Sequence, residues 1–204
     1  TSFSRNAAAA AAACGLEFHV VLPGAESDQN PLSQELFTRW DSRVHYEIAG
    51  EASLEQRLET VVASLRKQGE EVYVLHPGGS DSIGAVSYVC VLGEICDFSD
   101  RMDMQFSHVL HSSSSAGTQA GLVVGQCIAG YEARVIGISA SRSAPDQTRL
   151  VRELADSTAR MLETTLDPER IIVDDRFVGP GYAEVSPEGE AAARSFAEPE
   201  GILL

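Results

Sequence analysis

The chain is nearly without lysine: of its 15 basic residues only Lys67 is one, and the rest are arginines. Any chemistry that needs an amine therefore has one internal candidate. Lys67 lies in Leu65-Arg66-Lys67-Gln68-Gly69, which reads as a solvated helix C-terminus with cations facing the negative end of the dipole. Positive charge is scarce altogether, and 30 acidic residues leave a formal net charge of -15. That balance argues against a nucleic-acid or anionic-membrane partner and favours a soluble protein with small ligands. No apolar run approaches the roughly 20 residues of a membrane span, and the Ala7 to Ala13 run lacks the flanks of a signal peptide. No C-x-x-C pair occurs among Cys14, Cys90, Cys96 and Cys127, so buried or free thiols in a reducing cytoplasm are expected. The five histidines, His19, His45, His76, His108 and His111, form no cluster with metal-ligand spacing, and none follows His111.

What is present is an alternation of short apolar runs with longer helical patterns, the mark of an α/β fold with open parallel sheets covered by helices. Strands are expected at 18–22, 44–48, 72–75, 107–110, 134–139 and 171–173. Helices are expected at 3–14, 32–40, 54–68, 83–96, 118–129, 146–165 and 187–198. Pro and two Gly at 77–79 mark a boundary, giving a smaller α/β domain over 1–76 and a larger one over 77–204.

Four places could carry chemistry. Residues 112–121, Ser-Ser-Ser-Ser-Ala-Gly-Thr-Gln-Ala-Gly, join an apolar strand to a helix and contain no acid. The backbone N-H groups of such a turn, with Ser114, Ser115 and Thr118 hydroxyls and a close approach at Gly117, suit an anion such as phosphate. An ordinary Ser- or Thr-capped turn has the same composition. His76-Pro77-Gly78-Gly79-Ser80-Asp81 is a second strand-to-helix junction, either a rim on the same sheet edge or a capped turn. Thr1-Ser2-Phe3-Ser4-Arg5-Asn6 offers hydroxyls that are either nucleophiles or caps. Asp174-Asp175-Arg176 reads as a solvated acidic turn rather than a metal site, and Tyr182 in Gly179-Pro180-Gly181-Tyr182 is either a packing residue or a proton carrier near a ligand.

In order, these segments and the final Glu200-Gly201-Ile202-Leu203-Leu204 resemble the family of D-cysteine desulfhydrase and 1-aminocyclopropane-1-carboxylate (ACC) deaminase. These are two-domain enzymes of fold type II, dependent on pyridoxal 5'-phosphate (PLP) and related to the tryptophan synthase beta subunit. The resemblance implies that Ser114, Ser115, Ala116, Gly117 and Thr118 hold the PLP phosphate and that Tyr182 faces the substrate. It places the family's Ser-Asn-His segment on Thr1, Ser2 and Phe3, so that Thr1 or Ser2 supplies the hydroxyl near the substrate carboxylate, while the asparagine and histidine have no counterpart. It also implies a small amino-acid substrate, a homodimer, and C-S cleavage or ring opening as the reaction. A phosphorylated-metabolite binding protein is the reading from another class. In that family the Schiff-base lysine lies upstream of the Ser-Asn-His segment and a further segment follows Gly-Ile-Leu-Leu. The 204 residues are therefore expected to be an incomplete piece of a longer enzyme, inactive alone.

Overall fold

The computed structural model describes residues 2–46, 53–181 and 184–201. They form two compact units, Thr1–Leu75 and His76–Leu204.

In the first unit α1 (Ser2–Ala13), β1 (His19–Leu22), α2 (Pro31–Arg39), β2 (Arg43–Tyr46) and α3 (Leu54–Lys67) follow one another. Their starts are written locally. Asn30 caps α2 through the Ser33 N-H with Pro31 next to it, and Ser53 and Gln56 form a reciprocal capping box on α3. β1 and β2 pair in parallel with Val20 opposite Val44, and Ala8, Val20, Leu22 and Phe37 close the core beneath them. Of the alanine run, Ala8 alone is fully buried.

The second unit holds α4 (Ser82–Met102), β3 (His108–Ser113), α5 (Gly117–Ala129), β4 (Arg134–Ser139), α6 (Ala144–Met161), β5 (Ile172–Asp174) and α7 (Pro187–Glu200). Its three strands run parallel in the order β3-β4-β5. α5 is buried over most of its length, including Leu122, Val123 and Val124, and Leu92, Val135, Val151 and Ile171 complete the core around it. Such burial needs close helix contact, and two glycines permit it. A β-carbon on Gly121 would lie 2.6 Å from Tyr88 Cβ, and one on Gly125 2.9 Å from Leu92 Cβ, both on α4. α4 is long and apolar enough, by length and composition, to cross a membrane. It buries Ala85, Leu92 and Ser99 and exposes Ile83, Phe98 and Met102.

The parallel, helix-covered architecture is the one expected from the sequence, with local differences. Residues 72–75 form no strand, and Tyr73 and Leu75 are exposed; a short apolar run is only a weak, context-dependent strand signal. α4 runs on past Cys96 to Met102, stopping where Asp103 turns left-handed (φ 49°) and the Met104 N-H returns to the Ser99 carbonyl. α6 ends early by the same device, with Glu163 at φ 55° and the Thr164 N-H on the Ala159 carbonyl. The far end of the expected strand at 44–48 lies partly outside the described residues.

His19 and His45 stack across β1 and β2 with ring centroids 5.2 Å apart, sharing a 2.9 Å hydrogen bond between His19 Nδ1 and His45 Nε2. Burial first, then His19 and the Arg57 guanidinium, hold His45 below the ordinary histidine value. Glu17 faces His19 Nε2 at 3.1 Å. A lowered folded value favours the neutral ring, so the contribution of His45 is complete above the unfolded value and falls as pH drops through it towards the folded value. NMR titration of the His45 ring is expected to give a midpoint below that of a free imidazole. The fall in unfolding midpoint between about pH 7.5 and 5.5 should flatten in His45→Gln.

Candidate functional site

β3 extends through Ser113, two residues into the hydroxyl run and beyond the expected end at Leu110, and α5 begins at Gly117. The turn between them is therefore only Ser114, Ser115 and Ala116. Ala116 is the helix N-cap, at φ 74°, ψ -24°, and no side chain caps the helix. An ordinary Ser- or Thr-capped turn is thus not what forms here. The left-handed residue is Ala116 rather than the neighbouring Gly117, a conformation costing a non-glycine residue on the order of 1–2 kcal/mol. The first-turn N-H groups at Gly117, Thr118 and Gln119 have no carbonyl four residues back within the helix, and they sit at its positive end. The hydroxyls of Ser114, Ser115 and Thr118 have no hydrogen-bond partner among the described residues.

The second junction packs directly on the first. Pro77–Gly79 forms a 3-10 turn with Gly78 at φ 74° and Gly79 at φ 62°. A side chain on Gly78 would run into Ser115, and one on Gly117 would come within 3.0 Å of Ser80 Oγ. The two loops are thus interlocked, through a position at Gly78 that demands glycine and a tight approach at Gly117. Of the two helix starts that meet here, α4 is capped by Asp81, whose carboxylate accepts the Gly84 N-H at 2.7 Å, while α5 is open. Ser80 Oγ is buried beside that open start and has no partner among the described residues. A buried hydroxyl left without a partner costs about 1–3 kcal/mol, so its position is one that a bound anion would repair.

Beneath the turn runs a chain of side-chain hydrogen bonds in one direction. Arg142 Nη1 donates to Gln147 Oε1 at 3.4 Å, Gln147 Nε2 to Ser113 Oγ at 2.9 Å, Ser113 Oγ to Gln119 Oε1 at 2.7 Å, and Gln119 Nε2 to the Ile172 carbonyl at 2.7 Å. The same Arg142 nitrogen donates to the Ser114 carbonyl at 2.8 Å. Gln119 and Gln147 are wholly buried. Gln119 lies against Gly137 of β4, where any side chain would collide with its amide. Arg142 and Gln147 were not singled out from the sequence. The available signal was periodic: Gln147 occupies the stripe of α6 that continues as Val151, Ala155 and Ala159, a polar residue on a buried face.

The remaining candidates fall elsewhere. Ser2 is the exposed first residue of α1, in the other unit, and Lys67 is exposed in the last turn of α3. Thr1 and Tyr182 lie outside the described residues. Asp174 is taken up by Arg176, whose Nη2 sits 2.6 Å from Oδ2; hydrogen bonds from that guanidinium and the Arg176 N-H hold the carboxyl down to about 2. Asp175 accepts the Ala144 N-H at 2.6 Å at the start of α6. His111, just before the hydroxyl run, is held below its ordinary value by burial, which favours the neutral ring.

A family model described as pyridoxal-phosphate dependent enzyme matches residues 2–204. The chain belongs to that family. Among solved structures, a homologue of ACC deaminase is 26% identical with a TM-score of 0.77, over 96% of this chain and 58% of its own. A threonine deaminase from T.th. is 18% identical (TM-score 0.58, 97% of this chain and 63% of its own), and O-ureido-L-serine synthase is 16% identical (TM-score 0.60, 98% and 59%), both sharing the fold. The chain thus spans about three fifths of the length of each. PLP is the family's cofactor, and its phosphate fits the open α5 start: an uncapped helix N-terminus, free hydroxyls, an unpartnered buried Ser80 Oγ and a backbone that glycine leaves accessible.

Two variants separate the loop from its support. Ser80→Ala is expected to weaken PLP binding by roughly tenfold, about the worth of one charge-assisted hydrogen bond, with little loss of apo stability, measured by equilibrium dialysis and thermal unfolding. Gly137→Ala displaces Gln119 and is expected to lower stability by about 1–3 kcal/mol in urea unfolding.

Proposed function

We propose that the chain is part of a PLP-dependent lyase or deaminase acting on a small amino acid. The observation that carries this reading is the open α5 start at Ala116–Thr118 with the unpartnered Ser80 hydroxyl against it. Ser114, Ser115, Ala116, Gly117 and Thr118 hold the phosphate: the first-turn N-H groups donate to its oxygens, Ser115 and Thr118 add hydroxyls, and the helix dipole favours its charge. Bound PLP supplies an electron sink for a developing carbanion, while the protein fixes its orientation. Tyr182 serves as a proton donor or acceptor at the substrate, and Thr1 or Ser2 hydrogen-bonds the substrate carboxylate. The parent enzyme works as a homodimer in the cytoplasm.

The favoured reaction is C-S cleavage of D-cysteine or a related sulfur amino acid: with water, D-cysteine gives pyruvate, ammonia and sulfide. The second reading, hydrolytic ring opening of ACC to 2-oxobutyrate and ammonia, is supported by the likeness to the ACC deaminase homologue. Incubating the full-length protein with D-cysteine, ACC and L-cysteate, and assaying pyruvate, 2-oxobutyrate and sulfide, distinguishes them. Pyruvate with equimolar sulfide from D-cysteine is the expected outcome; 2-oxobutyrate from ACC alone would select the second reading, and no product from any of the three would overturn both. In that last case PLP or another phosphorylated metabolite bound without turnover would indicate a binding protein.

A further inference from the structure

We infer that Arg142, acting with Gln147, is the positioning residue that aims the Ser114–Ser115 peptide at the bound anion; this rests on the phosphate role proposed for the turn. A trans peptide is planar, with its C=O and N-H pointing in opposite directions. Arg142 Nη1 holds the Ser114 carbonyl at 2.8 Å, and so turns the Ser115 N-H of the same peptide away from the guanidinium. The hydrogen bond from Arg142 to the turn goes to that carbonyl. It is itself placed by the strand-to-helix corner: Ser139 Oγ accepts the Arg142 N-H at 3.1 Å and donates to the Arg142 carbonyl at 2.7 Å.

The second hold is on the preceding residue. Ser113 Oγ accepts from Gln147 and donates to Gln119, so both of its hydrogen-bonding directions are used and the β3 end cannot rotate without leaving a buried amide unsatisfied. Arg142, as the cationic source of a chain in which each donor feeds the next acceptor, polarises every link. Its charge also lies one peptide from the proposed phosphate, and among the described residues it is the basic side chain that hydrogen-bonds the turn. Arg149, in the second turn of α6, has neither role: it is paired with Asp146 and Glu153.

The test is made on the full-length protein, measuring affinity for PLP and for inorganic phosphate together with the 31P resonance of the bound cofactor. Arg142→Ala is expected to weaken both ligands by roughly tenfold and to move the 31P resonance towards that of free PLP. Arg142→Lys, which keeps a charged donor for the Ser114 carbonyl, should recover most of the loss. Arg149→Ala should bind as the parent does. Affinity within about twofold of the parent and an unmoved resonance in Arg142→Ala would overturn the inference. If Thr118→Val and Ser80→Ala still weaken binding in that case, the phosphate role of the turn survives and only the positioning role fails. Should those two variants also bind normally, the cradle itself is misplaced.

Discussion

The larger unit depends on a polar chain, buried from Gln147 through Ser113 to Gln119, that cannot be half made. Arg142, Gln147, Ser113, Gln119 and the Ile172 carbonyl link the start of α6, the end of β3, the start of α5 and β5. Each bond adds only about 1 kcal/mol net, but an unmade one leaves a buried amide unsatisfied at about 1–3 kcal/mol. The chain thus favours one arrangement of four elements over its alternatives. Surface ion pairs such as those of Arg149 and Arg152 are exposed and contribute at most about 1 kcal/mol each, so they do not set this geometry.

Above that chain, two loops meet because glycines let them. Gly78 makes room for Ser115 and Gly117 for Ser80, while Gly121 and Gly125 bring α4 against α5 below. The helix starts meet at this place with opposite treatment, one closed by Asp81 and one closed by nothing. An open positive end beside an unpartnered buried hydroxyl is a costly arrangement unless an anion completes it. This is why a single turn says more about the chemistry than the histidines or acidic pairs do. His19 and His45 satisfy each other, and Asp174 is neutralised by its neighbour Arg176.

Much of this was legible along the chain. The alternation of apolar runs with helical patterns specified a parallel, helix-covered architecture, and the run from Ser112 to Gly121 marked the site because few turns are so free of acids and so rich in hydroxyls and glycine. Two features escaped. The strand expected at 72–75 has a suitable apolar run but is not built as one, because strand formation depends on neighbours distant in sequence and is not a local property. Gln147 was missed because, read linearly, it is one polar residue in a charged helix; only burial turns it into a constraint.

The sequence by itself determined the α/β class, the helix caps and the composition of the turn, because these depend on residues within a few positions of one another. Where the turn ends, which residue takes the left-handed conformation and which arginine holds its carbonyl were decided by the tertiary structure. Ala116 rather than Gly117 bears the positive φ, and Arg142 reaches Ser114 across 28 positions, because neighbours brought together by folding fix both. Local preference favours glycine in that conformation by about 1–2 kcal/mol, and the packed surroundings of a buried Ala116 override it.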